Sequence, residues 1–268
     1  MPNSIAHRKL QQFIISYLQK QHFSIDTQSF ITYRFDSVKL NLCNIIARFN
    51  PKAKKRILIF THYDTRFMAD NDTNPALKHK PIPGANDSGS GVAIMLELAK
   101  IINHHKPKIG IDLIFFDGED QGPPSDQYLY DMKYWALGSK YWAKHYKLSP
   151  KPLYGINIDM VAGKNAKFAI ENFSLYYYGY LAKRIWKIAQ NNLNCKQLFI
   201  NKRTSGIFDD HVQVNRLAHI RSILIIENHN YKHFPNYWHT HNDSLNIISK
   251  KTIKCIGNLL LTIIYNQS

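Results

Sequence analysis

The chain has 268 residues, of which 44% are apolar and 20% are charged. This ordinary globular balance excludes a disordered chain, a collagen-like repeat and a disulfide-dense miniprotein, and the length suits one α/β domain over residues 1–268. Lys and Arg number 35 against 19 Asp and Glu, a formal charge of +16. Because the basic residues are scattered and no nucleic-acid-binding motif surrounds them, we expect a solvated basic surface that favours acidic substrates, and no nucleic-acid partner.

The N-terminal part of the sequence predicts a helix followed by a β-hairpin. Apolar residues fall on one face of a helix over residues 4–21, and two β-rich runs follow at 30–35 and 38–49. Polar residues interrupt the N-terminal apolar patch and no small-residue cleavage site follows it, so the sequence as written has no export signal. This favours the cytoplasm, or the periplasm or secretion if a signal was lost. No run is long and apolar enough for a transmembrane helix.

From residue 56 onwards, short apolar runs alternate with amphipathic segments. The runs are typical of buried parallel strands, whereas the longer segments have helical apolar spacing. Strands are expected at 56–61, 109–116, 153–158 and 222–226, and helices at 89–102, 134–145, 175–191 and 250–265. This alternation predicts an α/β sandwich around a mostly parallel sheet.

The three cysteines, Cys43, Cys195 and Cys255, are far apart in the sequence and have no metal-binding spacing. One disulfide is compatible with this number. We expect instead three reduced thiols that are mostly buried.

Carboxylates and a histidine follow the predicted strands at the points where these strands end. His62 and Asp64 follow the first parallel strand, Asp117, Glu119 and Asp120 follow the second, and Asp159 ends the third. Ligands of open α/β sheets bind in the crevice at the carboxyl ends of the strands. We therefore expect these side chains to converge at one edge of the sheet.

Three further candidates lie in loops, and each has a structural alternative. Asp87 precedes a predicted helix, where an Asp is also a preferred N-cap residue. His239 follows Trp238 in a loop, where a single histidine is more often structural than a ligand. The pair Asp209 and Asp210 is compatible with a helix cap as well as with a site.

These residue types suit a zinc site. Zinc binds histidine nitrogen and carboxylate oxygen, and a catalytic zinc keeps one position open for the substrate. The adjacent carboxylates Glu119 and Asp120 allow a division of labour, in which one binds the metal and the other transfers protons.

Five motifs in order carry a resemblance to a known family. They are Thr-His-Tyr-Asp at 61–64, Gly-Ala-Asn-Asp-Ser-Gly-Ser-Gly at 84–91, Phe-Phe-Asp-Gly-Glu-Asp at 115–120, Asn-Ile-Asp at 157–159 and Trp-His-Thr at 238–240. Over about residues 55–265 the sequence resembles the zinc aminopeptidase superfamily, which also contains the glutaminyl cyclases. The resemblance implies a central, mixed, twisted β-sheet flanked by helices. It is not the serine hydrolase fold, because no G-x-S-x-G motif occurs.

The resemblance also implies metal ligands, and the two branches differ in their number. The aminopeptidases bind two zincs through positions that match His62, Asp87, Asp120, Asp159 and His239. The cyclases use one zinc, which here implies Asp87, Asp120 and His239, and leaves His62 as a second-metal or hydrogen-bonding residue. Asp120 stands where the animal cyclases have Glu, which is one methylene longer.

Two sequence features favour the cyclase branch. Asp209-Asp210-His211 resembles the cyclases, whereas aminopeptidases commonly have Ser-Asp-His there. Trp238 before the last ligand and Phe-Pro at 234–235 also resemble the cyclases, and the segment 138–143 resembles the bacterial branch. The alternatives are a di-zinc aminopeptidase and a catalytically inactive binding relative, which ranks last because every ligand and Glu119 are present.

For a cyclase the resemblance implies the conversion of an N-terminal glutamine to pyroglutamate with release of ammonia. Glu119 would carry the proton from the α-amine to the leaving nitrogen, within a hydrogen-bonded acidic cluster that includes Asp159 and Asp210. Trp238 and Trp135 would form the wall of the substrate pocket, with core packing as the alternative for Trp135. The expected partners are peptides or proteins that begin with Gln, and the expected assembly is a monomer.

Overall fold

The computed structural model of the chain describes residues 1–124, 132–147, 149–193, 195–228 and 234–266, with the side chain of Asn192 excepted. The strands in these ranges are β1 Ser24–Tyr33, β2 Lys39–Phe49, β3 Arg56–His62, β4 Gly110–Phe116, β5 Gly155–Asp159, β6 Phe168–Glu171, β7 Phe199–Thr204 and β8 Ser222–Ile226. The helices are α1 Ile5–Lys20, α2 Gly89–His104, α3 Leu137–Lys144, α4 Asn172–Lys187, α5 Asp210–Leu217 and α6 Lys250–Tyr265. A π-helical turn, Ile188–Asn192, continues α4.

Six strands form one mixed sheet in the order β1-β2-β4-β3-β5-β8. The pairs β1–β2 and β2–β4 are antiparallel, whereas β4–β3, β3–β5 and β5–β8 are parallel. Every residue of β3, β4, β5 and β8 is buried, as expected of parallel strands with helices on both faces. The expected mixed sheet flanked by helices is therefore confirmed.

The side chains of β3 alternate between two hydrophobic cores. Ile57 and Ile59 pack in the core that includes residues of α1, α2, α4 and α6, whereas Leu58 and Phe60 pack in the core that includes residues of α3 and α5. This alternation follows from the two-residue period of a strand. Trp142 of α3 is 3% exposed and packs edge-on against Phe116 in the second of these cores.

The sequence prediction missed some elements. β1 begins at Ser24 rather than at residue 30, because its pairing with β2 extends to Arg48 and most of its side chains remain at least partly exposed. The parallel pair of β6 and β7 was not predicted. The helix expected at 134–145 is a 3₁₀ turn, Met132–Tyr134, followed by the shorter α3. Among the described residues, no helix is long and apolar enough to cross a bilayer.

The expectation of three reduced thiols is wrong for two of them. Cys195 and Cys255 form a disulfide with a Cα–Cα distance of 6.3 Å, whereas Cys43 is a buried free thiol. The bond joins the segment after α4 to α6. These residues are 60 positions apart in the sequence, and only the packing of the two helices brings them together.

Candidate active site

The predicted convergence at the carboxyl edge of the sheet is present in the structure. His62 and Asp159 are the last residues of β3 and β5, and Glu119 and Asp120 lie in the loop after β4. All four are buried, which is unusual for ionisable groups unless they are paired or bind a metal. The edge therefore concentrates charge that must be compensated locally.

Asp87 does not cap α2. The helix begins at Gly89 after Ser88, and the Asp87 carboxylate instead lies 3.1 Å from Nε2 of His62. The peptide bond between Asp87 and Ser88 is cis. The alternative interpretation of Asp87 as a helix cap is therefore wrong.

Asp87, Asp120 and His239 form the first group that suits a metal ion. One ligand atom from each lies within 4.8 Å of the others. Nε2 of His239 is 3.3 Å from Oδ1 of Asp120 and 3.7 Å from Oδ2 of Asp87. These are the three residues that the sequence predicted as zinc ligands.

His62, Asp87 and Asp159 form a second such group, which shares Asp87 with the first. Nε2 of His62 is 3.1 Å from Oδ1 of Asp87 and 3.3 Å from Oδ1 of Asp159. The five positions implied by the resemblance are thus brought together as two adjacent groups.

The donor set fits zinc. Both ring nitrogens of His62, Oδ2 of Asp120 and Oδ1 of Asp159 are buried without a hydrogen-bond partner, although buried polar groups normally have one. Burial and the charges of Asp120 and Asp159 raise the pKa of Asp87 to about 7, a sign of crowded negative charge that a cation would relieve. Imidazole nitrogen and carboxylate oxygen are zinc ligands, so the residues present suit this metal.

The Asp64 carboxylate holds the loop after β4 in place. Asp64 accepts hydrogen bonds from the backbone N–H groups of Glu119 at 3.0 Å and Asp120 at 3.3 Å, and from the Gln121 side chain at 3.0 Å. The charge of Asp64 is thereby spread over three donors. Its contacts set the positions from which Glu119 and Asp120 extend.

Glu119 lies among other acidic groups. Burial and the charge of Asp209 raise its pKa well above the ordinary carboxyl range. Burial and the charge of Asp159 raise the pKa of Asp209 to about 6. Carboxyls this close share protons, because ionising all of them together is unfavourable.

Asp209 rather than Asp210 faces the cavity. Asp209 is the N-cap residue of α5, accepts a hydrogen bond from Asn157 at 2.7 Å and lines the cavity beside Glu119 and Asp159. Asp210 is not among the described lining residues, and neither of its carboxyl oxygens has a hydrogen-bond partner. The expected hydrogen bond between Asp210 and Asp159 is therefore absent, because successive residues at a helix start point in different directions.

The acidic groups line a cavity of about 220 Å³ together with apolar residues. Its apolar and aromatic lining residues among those described are Pro123, Met132, Trp135, Ile207, Phe208, Ile226, Phe234 and Trp238. The Trp238 ring stacks on His239 at 3.8 Å between centroids, and the Trp135 ring is parallel to that of His239 at 6.4 Å. A β-carbon at Gly122 would lie 1.8 Å from the Trp135 ring, so this close approach needs glycine. Both predicted pocket tryptophans are on the cavity.

The sequence analysis did not single out Arg66 and Asp70, which line the same cavity. Arg66 is fully buried and donates to Asp70 and to Asp120. An available signal was their spacing of four residues in the loop directly after the His62 and Asp64 motif.

The chain is similar to several known proteins. The model of Peptidase family M28 matches residues 44–264. A glutaminyl cyclase of Bacteroides thetaiotaomicron has a TM-score of 0.96 and 37% identity, over 100% of this chain and 92% of that chain. A Zn-dependent exopeptidase from Parabacteroides distasonis has a TM-score of 0.95 and 38% identity, over 99% of this chain and 92% of that one.

A curated relative agrees as well. The glutaminyl-peptide cyclotransferase of Gloydius blomhoffii is 27% identical over 81% of this chain. The match spans 63% of that relative's length. The family model covers most of the chain, so family membership follows: the chain belongs to Peptidase family M28.

Proposed function

We propose that the protein converts an N-terminal glutamine to pyroglutamate and releases ammonia. The observation that carries this proposal is the juxtaposition of a buried, acid-flanked Glu119 with the triad of Asp87, Asp120 and His239 at a cavity that apolar and aromatic residues also line. The relatives named glutaminyl cyclase and glutaminyl-peptide cyclotransferase support it. The substrates would be peptides or proteins that begin with Gln.

The first triad would hold one zinc. Its ligands would be Asp87, Asp120 and His239. When bound, the zinc supplies Lewis acidity that polarises the γ-carbonyl of the substrate amide. In a one-zinc enzyme, His62 would lie beside it, with Nε2 3.3 Å from Oδ1 of Asp159.

Glu119 would carry the proton between the two nitrogens of the substrate. A bond forms between the α-amine nitrogen and the carbonyl carbon (Cδ) of the side-chain amide, and the bond from that carbon to the amide nitrogen breaks. Glu119 accepts the proton that the α-amine loses and donates it to the departing ammonia. Asp159 and Asp209, which line the same cavity, would share protons with Glu119. Asp210 does not line the cavity among the described residues and would act only through Asp209.

Trp135 and Trp238 would select the substrate side chain and shield it from bulk water. Trp135 and Trp238 line the cavity, and their apolar rings would suit the methylene groups of a glutamine side chain. They would also keep bulk water from the reacting carbon, because cyclisation uses the substrate's own amine as the nucleophile. The rest of the substrate peptide, after its N-terminal Gln, would extend through the open side of the cavity.

The second candidate function is a di-zinc aminopeptidase. The group of His62, Asp87 and Asp159 favours it, because a metal pair that shares a carboxylate suits the activation of water. The similar structure named a Zn-dependent exopeptidase points the same way. We rank it second because Asp209 occupies the position where a serine is common in aminopeptidases.

A Gln-initiated peptide tests both functions. We expect one tightly bound zinc per chain, ammonia release, and a product lighter by one ammonia with no free amino acid. Release of free glutamine together with two tightly bound zincs, one of them lost in His62→Ala, would contradict the cyclase and establish the aminopeptidase. An N-terminal Asn peptide serves as the negative control, because it lacks one methylene and attack of its α-amine on the side-chain amide would have to close a four-membered ring.

The disulfide bears on where the protein works. Disulfides such as Cys195–Cys255 persist mainly in oxidising compartments. We therefore infer that the protein works outside the cytoplasm, which favours the periplasmic or secreted alternative.

A further inference from the structure

Arg66 is a fully buried guanidinium with all its donors directed at acceptors beside the metal site. Nη1 donates to Oδ1 of Asp120 at 3.1 Å and to the carbonyl of Gly122 at 3.3 Å. Nε and Nη2 donate to the two carboxylate oxygens of Asp70 at 2.6 and 3.0 Å, and Nη2 also donates to the carbonyl of Pro123 at 3.2 Å. Such a forked, bidentate arrangement is specific to arginine.

Asp70 extends this contact to a second ligand of the triad. Its Oδ1 lies 3.4 Å from Nδ1 of His239, whose other ring nitrogen faces Asp87 and Asp120. A carboxylate beside Nδ1 favours the tautomer that has the proton on Nδ1, which leaves the Nε2 lone pair for a metal. The pair of Arg66 and Asp70 thus touches two of the three proposed zinc ligands.

The same guanidinium also contacts the pocket wall. Its central carbon lies 5.0 Å from the centre of the Trp135 ring. The two carbonyls that it binds belong to the loop after Asp120, at the close approach of Gly122 to that ring. The Arg66 side chain therefore connects the loop that holds Asp120, the ligand His239 through Asp70, and the Trp135 ring of the cavity wall.

Charge alone argues against a cation at this position. A guanidinium beside a dication repels it, so an arginine that acted only through its charge would weaken zinc binding. Its hydrogen bonds act in the opposite direction, since they hold Asp120 and, through Asp70, His239 in place before the metal arrives. Arg66 therefore strengthens zinc binding only if the positioning effect exceeds the repulsion.

We propose that Arg66 is a positioning residue of the metal site, which holds Asp120 directly and His239 through Asp70 and thereby strengthens zinc binding. This inference rests on the metal site of the proposed function and not on the cyclisation reaction. The two variants Arg66→Lys and Arg66→Met separate geometry from charge, because lysine keeps the charge without the fork and methionine removes both.

The test is a competition titration of the apo full-length protein with zinc and a chromophoric chelator. We expect Arg66→Lys and Arg66→Met to bind zinc about 10–100-fold more weakly than the wild type, the usual effect of losing a residue that orients a metal ligand. Wild-type affinity in the lysine variant together with tighter binding in the methionine variant would overturn the inference, since that pattern belongs to a charge effect.

Arg56 provides the matched control. It is also fully buried and donates to both oxygens of a carboxylate, Asp112, at 2.6 and 2.7 Å, but it begins β3 at the opposite end of the sheet. We expect Arg56→Lys to lower the melting temperature without changing zinc affinity. An equal loss of affinity in this variant would show a general effect of destabilisation and would overturn the inference.

The variant Asp70→Asn tests the same positioning role if the Arg66 variants do not fold. The amide keeps the shape of Asp70 but removes the charge that orients both Arg66 and His239, so we again expect about 10–100-fold weaker zinc binding. Unchanged affinity would overturn the inference. A wild type that binds zinc but releases no ammonia from a Gln peptide would contradict the cyclase while leaving this inference intact, and a wild type that binds no zinc would contradict both.

Discussion

Glu119 is the single residue on which the proposed chemistry depends most directly. We expect Glu119→Gln to keep the fold and the zinc, because glutamine is nearly isosteric and Asp120 remains to bind the metal. Activity should fall by about 10²–10⁴-fold, the typical contribution of a general acid–base group. The measurements are kcat/KM for a Gln-initiated peptide and the zinc content of the same preparation. Activity within a few-fold of the wild type would remove Glu119 from the mechanism.

The neighbouring carboxyls Asp209 and Asp210 are distinguished by a matched pair of asparagine variants. Asparagine caps a helix about as well as aspartate, so Asp209→Asn should leave α5 and the melting temperature nearly unchanged. We expect it to lower kcat/KM by at least ~10-fold, because it removes the charge that most strongly raises the pKa of Glu119. Asp210→Asn should have the smaller effect, since Asp210 does not line the cavity among the described residues. A larger loss for Asp210 would make that residue the principal partner of Glu119.

At the scale of elements, Glu171 connects β6, α4 and α5. Its carboxylate accepts hydrogen bonds from the backbone of Phe173, Ser174 and Ile207 and lies 3.3 Å from Nε2 of His211. Burial raises its pKa, but the contact with His211 and the Ser174 hydrogen bond outweigh this and lower it below the ordinary value of 4.5. The ionised form is therefore favoured in the folded state.

A group whose pKa is lower in the folded than in the unfolded state stabilises the fold above the unfolded pKa and loses this effect as the pH falls through the folded value. We therefore expect Glu171→Gln to lower the free energy of unfolding by about 1–3 kcal/mol at pH 7. The deficit should shrink as the pH falls below 4.5. Denaturant unfolding of both proteins at pH 7 and below pH 4.5 measures this deficit. The exposed Glu97→Gln serves as the control. A deficit that does not change with pH would contradict the lowered pKa of Glu171.

The disulfide stabilises the packing between the end of α4 and α6. It closes a loop of 60 residues, for which loop-closure entropy gives a stabilisation of about 4 kcal/mol. We expect the double variant Cys195→Ala and Cys255→Ala to lose a stabilisation of this order in denaturant unfolding. Reductant should lower the melting temperature of the wild type and leave the double variant unchanged. An equal response of both proteins to reductant would indicate that the bond does not form.

At the scale of the whole molecule, a strongly basic chain surrounds an acidic cavity. The formal charge is +16, whereas Asp70, Asp87, Glu119, Asp120, Asp159 and Asp209 all line the cavity. The cavity suits the cationic N-terminus of a peptide, and the basic surface suits acidic residues further along the same peptide. Long-range attraction of this kind raises association rates and is screened by salt.

We therefore expect kcat/KM to fall more steeply with salt for a Gln peptide with acidic downstream residues than for one with lysines. Between ~0.01 M and ~0.15 M ionic strength the screening length falls from ~30 Å to ~8 Å, and the acidic peptide should lose up to ~10-fold of its rate. Parallel assays of the two peptides at both ionic strengths measure this. Identical salt dependence would show that the surface charge has no part in substrate capture.

The parallel strands could be predicted from the amino-acid sequence, because the periodicity of apolar residues is a local property. The strands β3, β4, β5 and β8 are found close to where their apolar runs predict them. The positions of His62, Glu119, Asp120 and Asp159 at strand ends were also sufficient to predict that they converge, since parallel strands share an edge.

Local patterns could not predict which of these side chains face each other, because long-range packing sets these contacts. Whether Asp209 or Asp210 lines the cavity depends on the orientation of the start of α5. The disulfide depends on the packing of α6 against the segment after α4. The contact of Arg66 with Asp120 joins loops 54 residues apart, and no local pattern specifies that distance. Periodicity fixes which face of an element is buried, whereas the partners on that face are set by the long-range packing of the whole chain.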